Sequence, residues 1–357
     1  MLPAMSRSSP AMPGRRLLLA ALALPALRPA PAMAAAGAAP PALQAAWAGF
    51  QARFVSGEGR VVDNGNGGIS HSEGQGWAML AAARCGDREG FERLWDWTQR
   101  HLRRPQDRLF AWRHRPGAPA TAADRNNAAD GDLFIAASLL LAGRRWPQPA
   151  FTEAGTATAE DVLRLLLRDV AGRTVLLPGL AGFEDAEAVT LNPSYYAFPA
   201  IRLLARAAPD PAWLRLAADG VALLRGARFG RWGLPPDWLR LRRADGVASL
   251  APGWPPRFSY DAVRVPLYLG WAGLGEEPAV QAALAFWNDP GWGGRRPPAW
   301  ADLATDAVAP FAADGGILAL RQWAQRRRPM AAPPDDGEQY YVAMLKMLTL
   351  IAEADES

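Results

Sequence analysis

The sequence predicts an all-α domain. Apolar residues recur every three or four positions along eleven stretches, the period of a helix with one face in a core. Loops rich in glycine and proline separate these stretches. No G-x-G-x-x-G turn follows a strand-like run; the nearest candidate, Gly65-Asn66-Gly67-Gly68, has the wrong spacing and reads as a tight turn where backbone can approach a ligand.

In chain order the helical stretches are 41–54, 72–84, 90–102, 130–141, 158–170, 196–208, 211–226, 259–269, 278–286, 316–325 and 340–351. Ser72 offers a start signal for the second, and Asp210 followed by Pro211 opens the seventh. The main loops are 63–68, 116–123, 252–257 and 289–298. Short strands are expected at 109–112 and 174–177. Helix pairs recur at roughly 40 to 50 residues, a hint of structural repetition.

A chain of 357 residues, half of them apolar, can bury one large core. Its 34 glycines and 32 prolines show no period, which excludes a collagen-like chain. The first 36 residues read as an export signal. Arg15 and Arg16 precede the apolar run Leu17 to Leu27, and Ala32-Met33-Ala34 is a small-x-small site. Cleavage is expected after Ala34 or Ala36, leaving a single domain over 37–357 in the periplasm or outside the cell. The apolar run is short for a bilayer span, and the arginine pair leaves both the general and the twin-arginine export routes open. The leader carries four arginines and no acid, so 35 basic residues face 35 acidic ones in the remainder. Nucleic-acid binding is therefore not expected.

Cys85 is the single cysteine, which excludes an intramolecular disulfide; it reads as a small core residue. His71, His101 and His114 fit no metal-ligand spacing, so no metal is expected. Fifteen tryptophans suit a core, and equally a cleft where flat rings pack on pyranose faces.

Several acids stand where chemistry is plausible. Glu73 lies in Ser72-Glu73-Gly74-Gln75-Gly76-Trp77, far from other charges and one helical turn before Trp77. An apolar neighbour raises a carboxyl pKa, which suits a general acid; the plain alternative is a first-turn Glu stabilising a helix N-terminus. Asp130 and Asp132 sit at a helix start, where one can cap while the other binds hydroxyls. Asp261 follows Tyr260 and precedes Arg264 by three, a spacing that either orients a base or makes an ordinary surface pair. In Asn192-Pro193-Ser194-Tyr195-Tyr196, Tyr195 can reach a sugar or simply pack, and Tyr340-Tyr341 has the same ambiguity.

From about Trp47 to Ile351 the chain resembles the family-eight glycoside hydrolases, and within them the endo-β-1,4-glucanases associated with bacterial cellulose synthase. The strongest segment runs from Ala129-Asp130-Gly131-Asp132 to Arg145-Trp146; Ala129 departs from the usual Ser or Thr. The resemblance implies an (α/α)6 barrel of paired helices with an open substrate cleft, acting as a monomer without a cofactor on β-1,4-glucan, with a functional link to cellulose synthase. It implies Glu73 as general acid, Asp261 as general base, Asp130 as the residue that holds and distorts the sugar, Tyr195 near the nucleophilic water and Arg264 beside the base. Trp77, Trp112, Tyr260 and Asp132 complete the expected substrate-binding set. Chitosanase, xylanase and lichenase activities, and a non-catalytic accessory role in cellulose secretion, remain the alternatives.

Overall fold

The computed structural model describes residues 39–117, 124–326 and 337–356. The expected leader, 1–36, and most of loop 116–123 lie outside them. The described residues belong to one compact unit. Their eleven helices are α1 (Pro41–Phe54), α2 (Ser72–Cys85), α3 (Arg88–Leu102), α4 (Ala129–Arg145), α5 (Pro149–Leu166), α6 (Phe198–Ala207), α7 (Pro211–Gly226), α8 (Arg264–Trp271), α9 (Pro278–Trp287), α10 (Gly315–Ala324) and α11 (Tyr340–Glu356).

Burial divides them into two layers. Helices α2, α4, α8 and α11 are buried along most of their length, so they lie inside the fold. With α6 they close a ring in which α2 packs on α4, α4 on α6, α6 on α8, α8 on α11 and α11 on α2. The others cover this ring, each mostly with one apolar face; in α3 that face is Phe91, Leu94, Trp95, Trp97 and Leu102. This is the (α/α) barrel architecture that the resemblance implies. Among the described residues no helix is long and apolar enough to cross a membrane.

Glycines set the closest helix contact. A Cβ on Gly131 of α4 would stand 2.2 Å from Ser72 Oγ and 2.8 Å from the Glu73 amide nitrogen. One on Gly76 of α2 would stand 2.9 Å from Phe134 Cβ. Only hydrogen at these two positions lets the first turns of α2 and α4 touch, and those turns carry Glu73 and Asp130.

Small antiparallel pairings decorate the barrel: β1 (Ser70–His71) with β2 (Arg113–His114), β3 (Leu167–Val170) with β4 (Arg173–Leu176), β5 (Ala188–Leu191) with β6 (Leu239–Arg242) and β7 (Ala248–Leu250), and β8 (Arg257–Phe258) with β9 (Ala301–Asp302). They deliver site residues: β1 runs into α2, β5 into the 3-10 turn Pro193–Tyr195, and β8 into the turn holding Asp261. The expected strand at 174–177 corresponds to β4; at 109–112 there are only isolated bridges from Phe110 and Ala111.

Two expected helices differ. The stretch 158–170 is the second half of α5, which starts at Pro149, a proline at the first helical position. It ends at Leu166 because Ala171 and Gly172 both take positive φ, making the two-residue hairpin turn between β3 and β4. The stretch 259–269 becomes helical only at Arg264, because the amides of Ser259 and Ala262 are taken by a side chain, Asp237. Gly131→Ala is expected to lower the unfolding free energy by about 2 kcal/mol through overpacking, and to cut turnover by displacing Glu73; urea unfolding and a hydrolysis assay check both.

Candidate active site

One buried cation gathers the expected acids. Arg264, in the first turn of α8, is 2% exposed. Its Nη1 donates to Glu73 Oε2, and to Asp130 Oδ2 at 3.1 Å. Its Nη2 donates to Asp261 Oδ1 at 2.5 Å, and its Nε to the Asp261 carbonyl at 3.4 Å. Residues up to 191 positions apart thus meet on one guanidinium, whose planar fork fits several carboxylates at once.

The three carboxyls differ in exposure. Asp130 is fully buried, Glu73 is 19% exposed and Asp261 33% exposed along their side chains. One positive charge does not neutralise three negative ones, so protons are retained. Burial, and then the Glu73 charge, push the Asp130 carboxyl well above the usual range; Arg264 and the Gly131 amide, which donates to Oδ1 at 2.8 Å, oppose this. Burial also raises Asp261, with Asp130 adding to the effect and Arg264 and the Asn192 amide opposing it. The expectation of an apolar setting for Glu73 is corrected: its carboxyl meets Arg264 and Asp130 rather than hydrocarbon.

Tyr195 ends the 3-10 turn after β5, with its ring 5.9 Å from the guanidinium carbon. Burial, followed by the charges of Asp130 and Asp261, holds its phenol well above the usual value, so it stays a hydroxyl donor. Asn192 shapes that turn by accepting from the Ser194 amide at 3.0 Å and the Ser194 hydroxyl at 2.7 Å. Tyr260 is 41% exposed, and its carbonyl accepts from the Tyr341 hydroxyl. Trp112 is half-buried, stacks on His71, lies under Arg113, and donates to Asp124 at 2.7 Å. These positions suit cleft walls.

Two expected substrate-binding residues do not reach a cleft. Trp77 is 1% exposed, edge-on to Phe134 with Arg264 over its ring. One helical turn beyond Glu73 on an inner helix, it is core. Asp132 is fully buried and points away from Asp130, as an i,i+2 spacing on a helix requires. It accepts from the Phe110 amide at 2.8 Å and the Asn127 amide at 2.7 Å, and burial pushes it up to about 8.

Sequence reasoning missed Asp237, just before β6, whose carboxylate holds the turn carrying Asp261. It also missed the aromatic stack beside Tyr195. Trp238 lies 6.3 Å from the Tyr195 ring, stacks on Trp254 at 3.9 Å, and lies parallel to Phe183 at 5.7 Å. The tryptophan count was the only sequence signal for it. No group of three or more metal-ligating side chains occurs among the described residues.

A profile of glycosyl hydrolases family 8 matches residues 21–355. The chain belongs to that family. A "Probable endoglucanase" of Novacetimonas hansenii is 42% identical over 320 residues, covering 89% of this chain and 93% of that protein. An "Endoglucanase" of Cellulomonas uda is 43% identical over 282 residues, 78% and 76% of the two chains. The solved endo-β-1,4-glucanase CMCax from Acetobacter xylinum superposes with a TM-score of 0.82 at 42% identity, covering 88% of this chain and 98% of that one. A β-1,3-1,4-glucanase from Paenibacillus sp. X4, at 18% identity and a TM-score of 0.71, shares the fold. The family-8 chain is therefore a glycoside hydrolase.

Asp132→Ala is expected to cost about 3 kcal/mol of stability by orphaning two buried donors, with KM for substrate unchanged. Urea unfolding and steady-state kinetics check it; a raised KM with normal stability would restore Asp132 to the substrate.

Proposed function

We propose that this chain is an endo-β-1,4-glucanase that cleaves internal glucosidic bonds by single displacement. The observation that carries the paired-carboxyl reading is the sharing of one guanidinium, with Glu73 on Nη1 and Asp261 on Nη2; single displacement rests on the family resemblance. Acetal hydrolysis needs one carboxyl to give a proton and one to take one. Glu73 protonates the glycosidic oxygen as the bond from the anomeric carbon breaks. Asp261 removes a proton from water, whose oxygen bonds to that carbon on the opposite face. Solvent then returns a proton to Glu73 and takes one from Asp261. The family resemblance assigns Asp130, which shares Arg264 Nη1 with Glu73, to hydroxyls of a distorted ring and the Tyr195 hydroxyl to the water. The named activities of the relatives support β-1,4-glucan as the substrate.

The leader-like residues 1–36, with a catalytic domain over 37–357, support export to the periplasm or beyond. The link to cellulose synthase rests on the family resemblance of the sequence.

Glu73→Gln and Asp261→Asn are each expected to keep the fold and lose nearly all turnover on carboxymethylcellulose, measured by reducing ends beside chitosan and xylan controls. Near-normal turnover in either variant would remove that residue from its role. Proton NMR of the first product should show the inverted anomer. The pH dependence has a definite sign. Since Asp261 must be ionised and its pKa is raised, kcat/KM is expected to fall with decreasing pH at a value above the ordinary carboxylate range of about 4. A profile flat down to that range would contradict the assignment.

A further inference from the structure

Asp237 is 7% exposed and has no route to a polymer, yet its carboxylate is fully engaged around the proposed base. Oδ1 accepts from the Ser259 amide at 2.9 Å and from the Ala262 amide at 2.8 Å, so one oxygen clamps both sides of Asp261. Oδ2 accepts from the Ser259 hydroxyl. The Asp237 amide donates to the Arg257 carbonyl at 2.6 Å, fixing the carboxylate against β8, the strand that leads into the turn. Three donors converge on a side chain that a purely apolar packing role would not use, because a buried carboxylate is costly unless it is fully hydrogen-bonded. Burial and the charge of Asp261 push Asp237 up to about 7.

The geometry points to Asp237 as a positioning residue for the reaction. Acting through Asp261, it holds the turn Ser259 to Ala262 out of helix α8 so that the base presents its Oδ1 to Arg264 and its exposed side to water. Without the clamp, the freed amides of Ser259 and Ala262 can join the helix that now begins at Arg264, which would rotate Asp261 along the helix. Such a displacement of about 1 Å affects the chemical step more than substrate affinity.

The inference rests on Asp261 being the base, so the test carries an arm for each. Asp237→Ala, Asp237→Asn and Asp261→Asn are assayed with the parent for kcat and KM on a soluble β-1,4-glucan, with thermal unfolding alongside. Expected are a fall in kcat of about a hundredfold for D237A and about tenfold for D237N, with KM within about threefold in both. D237N keeps an acceptor for the two amides but loses the charge that strengthens those bonds and the acceptor for the Ser259 hydroxyl, so it weakens the clamp without removing it and carries the test even if D237A does not fold. Parental kcat in D237N, or a loss that appears in KM instead, overturns the role of Asp237. An active D261N removes the base itself; an inactive D261N beside a fully active D237N removes only its positioning residue.

Discussion

The barrel is organised around a cation that has no access to water. Removing a guanidinium from solvent costs several kcal/mol, recovered only when its donors are matched by well-placed acceptors. Arg264 meets that demand with carboxyls from α2, α4 and its own turn. Each helix must therefore deliver its acid to the same few ångströms, and the inner ring of helices is closed at the site by ionic contacts as well as by apolar packing. The surplus of negative charge is itself useful. A site with three carboxyls and one cation keeps protons that an equal pairing would release, and general acid chemistry requires such protons.

Much of this was legible in the sequence. Glu73, Asp130, Asp261 and Arg264 stood out as charged groups among glycine, serine and aromatic residues, and all four meet. The eleven helices were legible because burial of one face imposes its period. What failed did so for physical reasons. Trp77 next to two glycines looks like a cleft residue, but the glycines serve helix contact, and that contact buries the ring. Asp132 looks like a twin of Asp130, although a helix turns the two apart by about 200°. The start of α8 was misplaced because the competing hydrogen bonds come from Asp237, more than twenty residues upstream. A carboxylate between two prolines and a tryptophan carries no periodic signal.

Site and fold also differ in how they are held. Glu73 and Asp130, the proposed acid and sugar-holding residue, ride on helices buried along most of their length. Asp261, the proposed base, Tyr195 and the stack of Phe183, Trp238 and Trp254 ride on turns and short strands. Hydrogen bonds accepted by Asn192 and Asp237 give those turns the definition that helical packing gives the other half.

The contact through Gly76 and Gly131 makes this division permanent. Where two helices touch through glycines, neither can slide or tilt without opening a void or striking its neighbour. Glu73 and Asp130 thus form a fixed anvil whose spacing no drift in the surrounding sequence can retune. New polymer preferences would arise instead on the loop-built side of the site, where a turn can lengthen or an aromatic ring can be exchanged without disturbing the helix turn that carries Glu73.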